Sequence, residues 1–272
     1  MARFTTKWER EWNRMQRQEY DFLRRGRLRK ESALNRLLAR RVPDGLQEKL
    51  DIAFAKAFEL IFEKGTGVIE LTYNKDRIAS SFDEKEEDAA AYSGGDSLRQ
   101  ISRDAQGSQR KNLLLSGIEG IGLGALGIGL PDIPLFAGVL LKGVYEVALN
   151  YGYQYNTEEE KYFILKIIEI ALLHGRELDR QNDDLNRLIE KGWGPSSLPE
   201  GYSQSEQIQY SADALSKELL YMKFLQGLPL VGTVGGAYDA IYMQKILKYA
   251  DVKYHRRFLL EHDGDGDTPF IA

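Results

Sequence analysis

The chain has no cysteine, which excludes disulfides, thiolate metal sites and cysteine nucleophiles. Its three histidines, His174, His255 and His262, include no two at the i+3 or i+4 spacing that builds a helical metal site. The uncharged apolar stretches are short: residues 120–131, 133–141 and 224–238 span 12, 9 and 15 residues. A membrane-spanning helix needs about 20 apolar residues, so none of them qualifies. No alternating apolar and polar run between hairpin turns occurs, which argues against a sheet. The opening residues MARFTTKWEREWNRMQ hold charges throughout and no apolar run of signal-peptide length, so a cytoplasmic location is expected.

What is present is a chain of 272 residues, 43% hydrophobic and 29% charged, enough to bury a core. Its net charge of -4 conceals an asymmetry. Residues 1–41 hold 13 Lys and Arg against 5 Asp and Glu, +8, which leaves -12 for the remainder. The partition expected is a basic helical arm (1–41), a helical domain (42–260) and an acidic tail (261–272). Such an arm can meet nucleic acid, anionic lipid or the acidic body itself. Nucleic acid is the least favoured, because the arm has few aromatic stacking positions and the body is acidic.

In the arm, Trp8, Trp12, Met15, Phe22 and Leu23 recur at helical spacing, with Arg10, Arg14, Arg17 and acidic residues on the other faces. A helix broken at Gly26 is expected, then a second basic helix with Leu34, Leu37 and Leu38 that ends before Pro43. Basic amphipathic helices bind anionic interfaces, so Trp8, Trp12, Arg10, Arg14 and Arg17 are candidate membrane-surface residues. Leu46, Leu50, Phe54, Phe58, Ile61 and Phe62 mark an apolar face running to Gly65. Residues 82–109 are polar and aperiodic, which predicts a loop or a loosely held helix.

Residues 111–135, KNLLLSGIEGIGLGALGIGLPDIPL, combine frequent glycine with a proline turn. Glycine costs a helix roughly 0.5–1 kcal/mol per interior position relative to alanine, so these glycines need a compensating contact. Ser116, Gly120 and Gly124 form one stripe, and Gly232, Gly236 and Ala240 another, where backbones can approach closely. The expected fold is all-α, a multi-helix bundle built around two glycine-rich helical hairpins with proline turns.

Beyond the LPDIP turn, Asp132 is placed to cap a helix that runs to about Tyr151 and ends at Gly152. Thr157 with Glu160 predicts a capping box for a helix through Leu173, extending as far as Lys191. Ser203 with Glu206 predicts another, opening a helix to Phe224. A turn at Gly227–Pro229 and a long last helix to about Leu260 complete the body.

Chemical motifs are weak. Gly122, Gly124 and Gly127 spell GxGxxG, but the preceding residues read as helix and two prolines follow, which does not suit a dinucleotide turn. Ser108 to Lys111 spells SxxK without a companion motif. The tail from Asp263 to Asp267 begins like a calcium loop, but Thr268 stands at the required glycine. His255 reads as part of a basic helix end with Arg256 and Arg257. Four carboxylates in or beside apolar stretches, Glu119, Asp132, Glu146 and Asp239, are candidate binding groups, because a buried carboxylate needs a partner. The alternative for Asp132 is a helix cap, and for the others a solvent-facing position or a pair with Lys142 or Lys245. No cofactor and no metal is expected.

The block IEGIGLGALGIGLPDIPLFAGVLLKGVYEVALNYGYQYNTEEEKYFILKIIEIAL, residues 118–172, resembles the central segment of the EcsC family of bacterial proteins. There a glycine-rich helix, a proline-aspartate turn and a Y-G-x end follow in that order. The stretch LPLVGTVGGAYDAIYMQKILKYADVKYHRRFL is similar to that family's closing helix, and WEREWNRMQ to its amphipathic start. Residues 74–100 and the tail depart from it. The resemblance implies association with a membrane complex such as an ABC transporter, not a reaction, and transfers no catalytic residue. The expectation is a non-enzymatic accessory or adaptor at the cytoplasmic face of a bacterial membrane. The alternatives are a carrier of lipid or another apolar ligand, and an enzyme using the four carboxylates.

Overall fold

Seven α-helices and no strand are found among the residues that the computed structural model describes, 6–28, 45–65, 132–225 and 237–262. They are α1 (Lys7–Leu28), α2 (Leu46–Leu60, continued by a π turn over Ile61–Gly65), α3 (Asp132–Asn150), α4 (Glu158–Leu172), α5 (Gly175–Glu190), α6 (Gln204–Leu225) and α7 (Ala237–Glu261). The glycine stripe at 116–124, the turn at 227–229, Gly232, Gly236 and the helix expected at 34–41 lie outside the described residues. So do the loop expected at 82–109 and the acidic tail beyond 262.

Local chemistry sets the helix ends. Gly152 takes φ 82° and closes α3: its N–H reaches Leu149 O, and that of Tyr153 reaches Ala148 O, both at 3.0 Å. This is the paired-bond stop that a left-handed glycine permits. The Thr157 hydroxyl accepts from Glu160 N–H at 3.3 Å, and Glu158, Glu159 and Glu160 sit in the first turn of α4, where the helix dipole favours negative charge. Only half of the expected capping box forms, because the Glu160 side chain is drawn into the core instead. The helix also does not run on to Lys191. His174 is extended and Gly175 takes φ 59°, a conformation that side chains other than glycine resist, so the chain bends into α5. At the head of α6 the Ser203 hydroxyl accepts from Glu206 N–H at 3.4 Å.

Five helices close a ring through their main contacts: α2 on α3, α3 on α7, α7 on α4, α4 on α6 and α6 back on α2. Helices α1 and α5 form a second layer across α7, touching each other as well. The core is α7 with the apolar faces of α3 and α4, where Leu140, Val144, Phe163, Ile167, Ile246 and Leu247 are all fully buried. Gly143 lets α3 approach α7 closely, since a Cβ there would stand 2.8 Å from Leu247 Cδ2.

Gly26 does not break α1, which continues to Leu28. The glycine is buried at the crossing with α5, where a Cβ would stand 2.2 Å from Leu178 Cδ2. The missing side chain serves the crossing, and the cost of one helical glycine is offset by the close approach. Gly26→Ala is expected to lower unfolding stability by roughly 1–3 kcal/mol through overpacking. Chemical denaturation would read this as a lower midpoint at unchanged slope, and an unchanged midpoint would count against a tight crossing.

Candidate functional site

The inward face of α1 steps through Trp8, Glu11, Met15, Glu19, Leu23 and Gly26, residues three or four apart, all buried or partly buried. Trp8 donates from its indole N–H to Leu259 O at 3.0 Å and stacks on Trp12 at 5.1 Å. The Arg256 guanidinium lies 5.2 Å over the Trp12 ring. Of the partners open to the basic arm, the body is therefore the one that α1 meets in the structure. Both tryptophans turn inward, while Arg10 and Arg17 face solvent and Arg14 pairs with Glu11 at 3.5 Å.

Two acidic residues share the inward face, contrary to the sequence expectation that the acids fill the outer ones. Glu19 stands where an apolar residue would continue the stripe. Its Oε1 accepts from the Lys253 ammonium and from Asn186 Nδ2 at 2.9 Å, and its Oε2 accepts from Arg256 at 2.5 Å. Lys253 is wholly buried on α7 and donates further to Asn182 Oδ1 at 2.6 Å and Asn186 Oδ1 at 2.7 Å, both on α5. Tyr249 donates to Asn182 at 3.0 Å and stacks beneath the ammonium, 4.9 Å away. Arg256 reaches Glu190 of α5 at 3.1 Å.

Electrostatics follows the geometry. Burial would raise the Glu19 carboxyl, but Lys253 and Arg256 together outweigh it and hold Glu19 well below the usual carboxylate range. Burial also weakens the Lys253 ammonium, lowering it to about 8 against the opposing pull of Glu19. With no exposure and three oxygens around it, Lys253 serves as an ion-pair partner and not as an accessible base.

A second cluster sits on another face of the same C-terminal part of α7. Glu160 accepts from Tyr254 at 2.6 Å and from Arg257 at 2.7 Å. Arg257 continues to Glu261 at 3.0 Å, and Tyr153 donates to the same carboxylate at 2.8 Å. Arg256 and Arg257 are thus internal pairs and not a solvated basic helix end. His255, which precedes both, is buried, and neither ring nitrogen is hydrogen-bonded among the described residues. It stacks on Tyr151, centroids 5.6 Å apart, and Tyr151 bonds Asp251, four residues before His255, at 2.8 Å. Burial first, and the charge of Arg14 second, lower the His255 imidazole to about 3.

Of the four candidate carboxylates, Glu146 alone has its side chain among the described residues. Glu119 lies outside them, Asp132 opens α3, and Asp239 lies in the first turn of α7. Glu146 is buried on α3. No cluster of three or more His, Asp or Glu among the described residues is arranged to hold a metal ion, and no described helix is long and apolar enough to cross a membrane. The seam of α1, α5 and α7 is the polar centre that sequence reading passed over. A signal was there: in YADVKYHRRFLL charged and apolar residues alternate at every helical phase, so a helix buried all round must bury charge too.

Comparison with known proteins places the chain. The EcsC protein family matches residues 7–259, and Protein EcsC of Bacillus subtilis (strain 168) is 26% identical over 249 residues, 88% of this chain and 92% of that protein. No solved structure matches it.

Proposed function

The chain belongs to the EcsC protein family, and from that membership and the outer face of α1 we propose that it is a non-enzymatic accessory or adaptor that docks on the anionic cytoplasmic face of a bacterial membrane. The family resemblance supplies the link to a membrane complex such as an ABC transporter. The observation that carries the membrane reading is one stripe of charge: Arg10, Arg17 and Arg25 are exposed and take no ion pair among the described residues. They span about 22 Å along the helix at 1.5 Å per residue. They lie within about 80° of one another around the helix, and Asp21 on the same face is offset by its pair with Arg24.

A basic residue near an anionic surface contributes about 1 kcal/mol. Changing all three to glutamine is expected to weaken binding to phosphatidylglycerol vesicles by roughly 10- to 100-fold at low salt, and ~0.5 M salt should abolish the difference. Vesicle sedimentation reads this directly. Equal binding by the triple variant, or binding indifferent to salt and headgroup charge, would remove the basis of the proposal.

A further inference from the structure

Helix α1 has the build of a strap. Among the described residues its main contacts are with α5 and α7, so it can leave while the five-helix ring keeps all of its own packing. The seat beneath Glu19 stands without it: Asn182, Asn186 and Tyr249 hold Lys253, and Glu190 holds Arg256, from α5 and α7 only. Two buried cations there receive a single buried carboxylate from α1.

The seam is also incompletely satisfied. Among the described residues, Gln18 Oε1 on α1, Arg256 Nε and both nitrogens of His255 are buried without hydrogen-bond partners. Most buried polar groups in a settled core are paired, so these four atoms weaken the docked seam. The outer face of α1 carries free arginines, while its inner face holds Trp8, Trp12, Met15 and Phe22. Docked, the helix offers a membrane its arginines and the exposed Tyr20, with both tryptophans turned away. Released, it is a basic amphipathic helix with two tryptophans on the apolar side, the composition that lies in a bilayer interface.

We propose that an anionic bilayer draws α1 off the α5–α7 seat, so that Trp8 and Trp12 exchange the body for the lipid interface and Lys253 and Arg256 become exposed. This rests on the membrane reading above and specifies its regulation: docked α1 is the resting form, and anionic lipid is the releasing partner.

The test uses full-length W193F protein, whose remaining tryptophans are both on α1, with phosphatidylglycerol vesicles carrying brominated acyl chains. Tryptophan emission should fall by about half or more on binding, because an inserted apolar face reaches the acyl boundary. A second variant adds Gly26→Cys and Leu178→Cys. An ideal Cβ on Gly26 stands 3.7 Å from Leu178 Cγ, so the two side chains meet at this crossing, and the native chain has no cysteine to interfere. Oxidised, this variant should sediment with vesicles through its arginines yet show no quenching, and reductant should restore the quenching. Sedimentation of W193F protein without quenching, or equal quenching with the cross-link closed, would overturn release alone. Absence of sedimentation would overturn the membrane reading and release together.

Discussion

Glu19→Ala is expected to undock α1. Truncating one partner of a buried pair costs roughly 3–5 kcal/mol, chiefly because the remaining charge is left without compensation. Here Lys253, with no exposure, loses its carboxylate, and buried Arg256 is left with Glu190. Lifting α1 returns both to water, so the loss should appear as local opening of the seam and not as collapse of the ring. Hydrogen exchange should show α1 amides exchanging far faster than in wild type while α4 stays protected, and Trp8 and Trp12 emission should shift to the red. Adding Lys253→Met should recover part of the loss, since an apolar group in that seat needs no counter-charge. Unchanged α1 protection in the single variant would show that Glu19 does not hold the seam.

His255 should make the fold acid-sensitive well before its carboxylates do. Its folded-state value, lowered to about 3, lies below the ordinary 6.5. Between these values the unfolded chain takes up a proton that the folded chain refuses, so stability is full above pH 6.5 and declines as pH falls toward 3. At 1.36 kcal/mol per unit, the decline is roughly 3 kcal/mol by pH 4.5 and approaches 5 kcal/mol near pH 3. Glu19 acts in the same direction but lower: its stabilisation is intact above 4.5 and lost only as pH falls well beneath it. The window from 6.5 to 4.5 therefore separates the two groups.

His255→Leu should flatten the urea-unfolding profile across that window, and difference profiles against wild type cancel other groups, including His174, which pairs with Glu218 at 2.7 Å. At neutral pH the variant should lie near wild type, because removing unmet buried nitrogens, worth roughly 1–3 kcal/mol, offsets the lost stacking on Tyr151. An equally steep profile in the variant would show that His255 is not the sensor.

Much of the architecture could be read from the chain by itself, because helix signals are local. Apolar spacing marked α1 and α2, Gly152 closed α3, and Thr157 and Ser203 capped α4 and α6 where their residue types predicted. The absence of strand patterns led to an all-α fold, and the EcsC resemblance came from residues that the family match later covered. What required the tertiary structure was the direction in which charge points. Glu19 and Asn186 are 167 residues apart in sequence, and Glu19 and Lys253 are 234; no helical period links them. A glutamate on an apolar stripe reads as a solvated face until two cations from another helix are seen opposite it. Gly26 likewise reads as a break, because its reason is Leu178 on a different helix. Periodicity reports which residues share a face. Whether that face meets water, lipid or a buried counter-charge depends on the surface opposite, and that is set by how the helices assemble.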